Sequence, residues 1–264
     1  MARIEAPLLA VDLGNSAAKV AVYRSAVLKG RVVRVATEDG RTARAALTRL
    51  FRSLRPRPAA ALVASVRPDL DAALSAAARS ALGIDPLFLL REVRPPLKLL
   101  VRSVQTLGAD RVAAAAGARA LSGLDRRDIV VLDCGSAVTC DAVTRRGEFR
   151  GGAIAPGLGL AARALHEFTA ALPLVLDAGR RRSPRAIGRD TREALESGLV
   201  HGMRGLVAGL VAEISRGLVW PALVATGGDA RLLAPDGARV DPALTLGGLA
   251  ATHFGGAVRA ASRV

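Results

Sequence analysis

DIVVLDCGSAVTCDAV, residues 128–143, repeats in outline LLAVDLGNSAAKVAVY, residues 8–23. Each is an apolar run that ends in an aspartate, Asp12 or Asp133, passes through glycine and a small polar residue, and returns as a second apolar run. Apolar runs bounded by such residues read as two strands joined by a tight turn. Gly-Asn is ordinary hairpin chemistry, and one such hairpin needs no other explanation. Two of them, aligned as Asp12-Leu13-Gly14-Asn15-Ser16 against Asp133-Cys134-Gly135-Ser136-Ala137, place like hairpins in both halves of the chain. The expectation is an α/β fold of two related halves, each presenting a carboxylate, with a cleft between them.

The flanking sequence fits that division. GRVVRVAT (30–37) reads as a third strand of an antiparallel meander, and residues 42–54 have helical spacing that stops at RPRP, where proline removes backbone donors. ALVASV (61–66) reads as a buried strand, 69–83 as a helix ending on Gly83, and PLFLL (86–90) as a strand. Residues 108–123 read as a helix with Asp110 near its first turn. In the second half a third strand ends in GGAIAPG (151–157), helices are expected at 158–171 and 190–216, a strand at 222–228 and a last helix near 247–261. The domains expected are 1–124 and 125–264.

Composition limits the function classes. A chain of 264 residues, 51% of them apolar, is long enough to bury a full core. No basic stretch followed by a long apolar run opens it and no apolar segment approaches a membrane span, so a soluble, cytoplasmic protein without membrane contact is expected. Cys134 and Cys140 cannot make a secreted-type disulfide framework; they read as packed thiols, with a bridge across the hairpin left open. The net charge of +15 is nearly all arginine, since lysine occurs only at Lys19, Lys29 and Lys98. The arginines are spread along the chain, seven aromatics leave little for base stacking, and no zinc-finger or RNA-recognition spacing occurs, so no nucleic-acid partner is expected. Arg180-Arg181-Arg182 with Arg185 reads as a solvated loop able to steer anions.

The paired turns suit a phosphate ligand. Glycine-rich turns let backbone amides approach phosphate, and a nearby carboxylate can hold a magnesium ion on it. Two such turns grip a triphosphate from both sides, and ATGGD (225–229), with Gly227 and Gly228, adds a third turn at a strand end, where base and ribose commonly sit. None of the three lysines follows a glycine, which excludes a standard P-loop. G-x-G-x-x-A at Gly157–Ala162 reads as coincidence, because its preceding strand looks short and broken by Pro156. His166, His201 and His253 are too dispersed for an evident metal site.

DLGNS (12–16), GADR (108–111), DCGSAVTCD (133–141), GGAIAPG (151–157), LP (172–173), IGRDT (187–191), ATGG (225–228) and DPALTLGGL (241–249) together, in this order, resemble the type III pantothenate kinases over essentially the whole chain. These belong to the acetate and sugar kinase, heat-shock chaperone and actin superfamily. The resemblance implies two duplicated actin-like (ribonuclease H-like) domains, each a mixed sheet flanked by helices. It implies ATP-dependent phosphorylation of pantothenate to 4'-phosphopantothenate, the first step of coenzyme A biosynthesis. It also implies Mg2+, a monovalent cation (K+ or NH4+), and a homodimer with its active sites near the subunit interface. Carried over by position, Asp110 is the general base. Gly108, Ala109, Arg111, Thr191 and Val101 fall on the pantothenate side. Asp12, Leu13, Gly14, Asn15, Ser16, Lys19, Ser136, Thr139, Gly227 and Gly228 fall on the ATP side, with Asp12 at magnesium and Asp133 at the monovalent cation.

Several positions depart from the family pattern. Val101, Ser103 and Val104 stand where a tyrosine and an Asn-Pro pair are usual, Ser136 stands for threonine in the second phosphate turn, and Asp190 for asparagine. A catalytically inactive relative acting as a nucleotide-binding accessory or regulatory protein is the alternative, and a nucleic-acid-binding module ranks third. The resemblance places Asp110 over the substrate hydroxyl, where phosphoryl transfer needs an acceptor for the nucleophile's proton. Its ordinary alternative is helix capping.

Overall fold

Leu8–Leu13 (β1) is buried at every position, which a strand achieves when both faces of its sheet are covered. It pairs antiparallel with Ala17–Arg24 (β2) and parallel with Ala60–Ser65 (β4). With Val27–Ala36 (β3) and Leu87–Phe88 (β5) they form a five-stranded mixed sheet in the order β3-β2-β1-β4-β5. The computed structural model describes residues 6–37, 40–179 and 183–255; the arginine run 180–182 lies outside them.

Strand alternation sorts the first core into two faces. Leu9, Val11 and Leu13 cluster with Leu47 and Phe51 of Gly40–Ser53 (α1) and with Leu70 and Leu74 of Pro68–Leu82 (α2). Leu8 and Ala10 cluster with Ala109, Val112 and Ala113 of Ala109–Ala120 (α3) and with Leu246 and Leu249 of Leu244–Phe254 (α7). Asp12 shares the parity of Leu8 and Ala10, so it ends the strand on the face that α3 and α7 cover. The alanines of α3 let α7 approach to backbone contact: a Cβ on Gly248 would stand 1.7 Å from the Ala113 carbonyl oxygen, and one on Gly117 2.2 Å from that of Leu244. On the solvent side of α1, Arg41, Arg44, Arg49 and Arg52 line, with Ser80 of α2, a surface groove of about 650 Å³ that holds none of the motif residues.

The second sheet repeats the plan. Ile129–Cys134 (β7) pairs antiparallel with Ala137–Val143 (β8) and parallel with Ala222–Thr226 (β10), flanked by Arg239–Val240 (β11) and Glu148–Pro156 (β9) in the order β11-β10-β7-β8-β9. The short strand Lys98–Leu99 (β6) adds to Glu148 and Phe149 at the start of β9. Val130, Leu132 and Cys134 pack with Leu158 of Leu158–Glu167 (α4), Val200 and Met203 of Thr191–Ser215 (α5) and Leu233 of Ala230–Leu233 (α6). No helix among the described residues is long and apolar enough to cross a membrane.

The structure departs from the sequence reading at several points. Two compact units are present, but 145–149 and residues 243–255 group with the first one, because α7 returns to pack on α3 and β1. That division differs from 1–124 and 125–264. The last helix spans Leu244–Phe254 and is capped by Gly255 at φ 70°; the expected stretch to 261 falls in residues 256–264, which lie outside the described ones. The strand before Gly157 is nine residues long and ends on Pro156 instead of being broken by it. Cys134 and Cys140 are free and sit at different register positions, opposite Val138 and Leu132 respectively.

Candidate active site

The two hairpins present their aspartates in the same way. In the first, Asp12 lies directly across from Lys19, and the Lys19 ammonium stands 3.1 Å from Asp12 Oδ2. The turn closes by Gly14 N donating to the Ala17 carbonyl at 3.2 Å. In the second, Asp133 lies across from Thr139, and Gly135 N donates to the Ala137 carbonyl at 3.0 Å. The second turn is one residue shorter. Asp12 is only 6% exposed, so the ion pair with Lys19 compensates a carboxylate with little water around it. Leu13 is fully buried in the core, so what it offers a ligand is its backbone.

The outside of the first turn is held by a residue the sequence reading passed over. Arg67 donates to the Asn15 carbonyl at 3.1 Å and to the Thr37 carbonyl at 3.4 Å, while two further bonds tie it to Asp69. That pairing holds the Asp69 carboxyl below its usual range. Arg67 precedes a Pro-Asp helix start, and in a chain this rich in arginine nothing local marks it out.

The second hairpin sits among three close backbone approaches. Gly157, at the start of α4, donates its N–H to the Ser136 carbonyl at 3.1 Å, and a Cβ there would stand 2.4 Å from the Gly135 carbonyl. Gly227, at φ 97°, leaves no room either: its Cβ would lie 2.4 Å from the Cys134 carbonyl and 2.5 Å from Asp133 Oδ1. The ATGG turn is tied to the same strand by Asp229 N donating to the Cys134 carbonyl at 3.0 Å. The structure therefore gathers Asp133, Ser136, Thr139 and the Gly227-Gly228 turn at one end of β7 in the second unit. Burial pushes the Cys134 thiol up to about 12, with Asp133 and Asp229 acting in the same direction; burial, then Asp141, does the same for Cys140. Both stay protonated at neutral pH and are unreactive packing residues.

Asp110 occupies the first turn of α3, in the same unit as Asp12. Ala109 beside it belongs to the same core cluster as Leu8 and Ala10, which puts the start of α3 on the sheet face that carries Asp12. A Cβ on Gly108 would stand 2.6 Å from Asp110 Oδ1, so a side chain there would shift the Asp110 carboxylate. Asp110 Oδ1 accepts from Arg111 N at 2.8 Å, and Gly108 provides no side-chain cap. The Arg111 guanidinium lies 5.9 Å from the centre of the buried Phe149 ring, a cation–π contact that orients it. Val101 is half-buried in the segment between β6 and α3. Asp190 is the N-cap of α5, accepting from Glu193 N at 2.8 Å, which explains an aspartate at that position and leaves the exposed Thr191 out of the capping role.

The family model of type III pantothenate kinase matches residues 8–213. A type III pantothenate kinase of Anaeromyxobacter sp. (strain K) is 36% identical over 256 residues, covering 93% of this chain and 98% of that protein. The chain belongs to the type III pantothenate kinases. Among solved structures, a Baf family protein of Campylobacter jejuni described as a transcriptional activator is similar at a TM-score of 0.56 and 22% identity, covering 91% of this chain and 94% of its own. An inorganic polyphosphate/ATP-glucomannokinase of Arthrobacter sp. strain KM is similar at 0.50 and 15%, covering 93% and 97%. These likenesses establish the fold of this pantothenate kinase family member: two mixed sheets flanked by helices, in the duplicated actin-like arrangement.

Proposed function

We propose that the chain transfers the γ-phosphoryl group of ATP to the primary hydroxyl of pantothenate, giving 4'-phosphopantothenate for coenzyme A synthesis. Family membership along nearly the whole chain carries this reading. Phosphoryl transfer asks a protein chiefly to position the reactants and offset charge. In this reading the turn Asp12–Ser16 and the turn at Ser136 hold the phosphates through backbone N–H groups, Lys19 adds a cation beside the first, and Thr139 a hydroxyl in the second. The Gly227-Gly228 turn takes the nucleoside end. Asp110 accepts the proton of the pantothenate hydroxyl, while Gly108, Ala109, Arg111, Val101 and Thr191 position that substrate.

The carboxylate of Asp12, fixed at the end of β1 beside a glycine turn, fits a magnesium-bound phosphate. Asp133, against Gly135 and Gly227, fits a monovalent cation. When bound, such ions neutralise charge on the transferring phosphate. A homodimer is favoured by large apolar residues left exposed in the second unit, with Ile154 64%, Phe168 80% and Ile187 82% accessible. A cytoplasmic location follows from the metabolic role.

The test is ADP release from the purified chain with ATP, magnesium and potassium. Turnover that depends on pantothenate is the expected result, and ATP binding without such turnover would support the inactive alternative. Light scattering on the same preparation is expected to give twice the chain mass of 27.2 kDa, and a monomer would remove the dimer from the proposal.

A further inference from the structure

The first turn is held by its carbonyl oxygens. Thr37, fully buried just past β3, donates its hydroxyl to the Gly14 carbonyl at 3.3 Å, and Arg67 Nη1 donates to the Asn15 carbonyl at 3.1 Å. The two holds are linked, because the same Arg67 nitrogen also reaches the Thr37 carbonyl at 3.4 Å. A trans peptide is planar, and its C=O and N–H point in opposite directions. Tying the Gly14 and Asn15 carbonyls behind the turn therefore aims the N–H groups of Asn15 and Ser16 the other way, and both residues are exposed. A turn that grips phosphate needs this orientation, amides toward the anion and carbonyls away from it.

The second hairpin repeats the device with a different donor. Ser136 holds the position of Asn15 in the paired turns, and its carbonyl also accepts from outside the hairpin, here from the Gly157 N–H at 3.1 Å. The approach is close, since a Cβ on Gly157 would lie 2.5 Å from that same carbonyl oxygen. A guanidinium in one unit and a backbone amide in the other thus hold corresponding carbonyls. What the two copies share is the direction of the peptide, not the residue that sets it.

Arg67 is itself fixed for this role. Its Nε and Nη2 donate to the two carboxylate oxygens of Asp69 at 2.9 and 2.7 Å, which leaves Nη1 for the turn. A planar guanidinium does both at once; a lysine ammonium has no such fork. Behind it the Arg67 N–H donates to Ser65 Oγ at 3.2 Å, and Ser65 donates in turn to Asp71 Oδ1 at 2.5 Å. The start of α2 is thereby anchored to the end of β4, next to β1 in the sheet.

We infer that Arg67 and Thr37 are positioning residues of the phosphate site, acting through the first turn by holding the Asn15 and Ser16 amides toward the phosphates of ATP. The inference rests on the reading of Asp12–Ser16 as a phosphate turn and adds what orients it.

Steady-state kinetics and calorimetric titration of ATP on the purified full chain test it. Thr37→Val removes the hydroxyl, keeps the shape and changes no charge. It is expected to raise KM for ATP, and the ATP dissociation constant, by about fivefold or more, the scale of one lost hydrogen bond, while KM for pantothenate stays within about twofold. Thr37→Ser is expected to restore the wild-type values. Arg67→Ala, which releases two carbonyls from a charged donor, is expected to raise both ATP constants by about tenfold or more. Because Thr37→Val leaves the charge unchanged, a loss of ATP affinity shared by both variants assigns the effect to the direction of the amides.

ATP constants unchanged in both variants would overturn the inference. So would a loss confined to Arg67→Ala, which would make the guanidinium a charge beside the phosphates, or an equal rise in both KM values, which would make the pair general supports of the fold. Failure of the kinase reading looks different: the wild type would bind ATP and release no ADP with pantothenate, and the calorimetric loss in both variants would persist.

Discussion

Asp110→Asn is expected to lower pantothenate-dependent ADP release by at least about a hundredfold, the usual cost of removing a positioned general base. The substitution separates chemistry from structure because of how Asp110 is held. Its Oδ1 accepts from Arg111 N within the first turn of α3, and asparagine keeps that oxygen. The favourable placing of one negative charge near a helix N-terminus, worth about 0.3–1 kcal/mol, is lost with the substitution. Far-UV circular dichroism and a melt within a few degrees of wild type are therefore expected alongside the loss of turnover. A rate within about threefold of wild type would reduce Asp110 to a first-turn acid favoured by the helix dipole. The same variant distinguishes the enzyme from an inactive nucleotide-binding relative, whose ATP affinity would not register the change.

The largest effect on stability is expected at Gly248. Its missing side chain is what allows α7 to rest on α3, and a Cβ 1.7 Å from the Ala113 carbonyl oxygen meets backbone, which cannot swing aside as a side chain can. Gly248→Ala is expected to cost at least about 1–3 kcal/mol, the usual range for overpacking a core, read from the midpoint of urea unfolding. Because α3 carries Asp110, turnover should fall with it. The same substitution at Gly209 of α5 has the opposite sign. A Cβ there meets open space, and alanine in place of glycine within a helix is expected to stabilise by about 0.5–1 kcal/mol. Equal midpoints for the two variants would contradict the packing of α7 on α3.

Much of this was legible in the sequence because it is local. The paired hairpins announce themselves by apolar runs that stop at Asp12 and Asp133 and resume after glycine, and GADR and IGRDT carry their helix starts within a few residues. Thr226 was not legible. In ATGG it is a polar residue before two glycines, and only the pairing of β10 with β7 sets it beside Asp133 with its hydroxyl sealed from water. Arg67 is another case, one arginine among many until the fold brings it to the Asn15 carbonyl.

The sequence by itself determined the two-fold plan, the acid-tipped turns and the family, since strand periodicity, turn chemistry and motif order need only neighbouring residues and their spacing. Tertiary structure alone decided that the last helix belongs with the first unit, that glycines at 117 and 248 let it lie backbone to backbone on α3, and that Asp133 lies between Thr226 and Thr139 in its sheet. Those facts depend on which distant segments come into register and on what is shut away from water when they do.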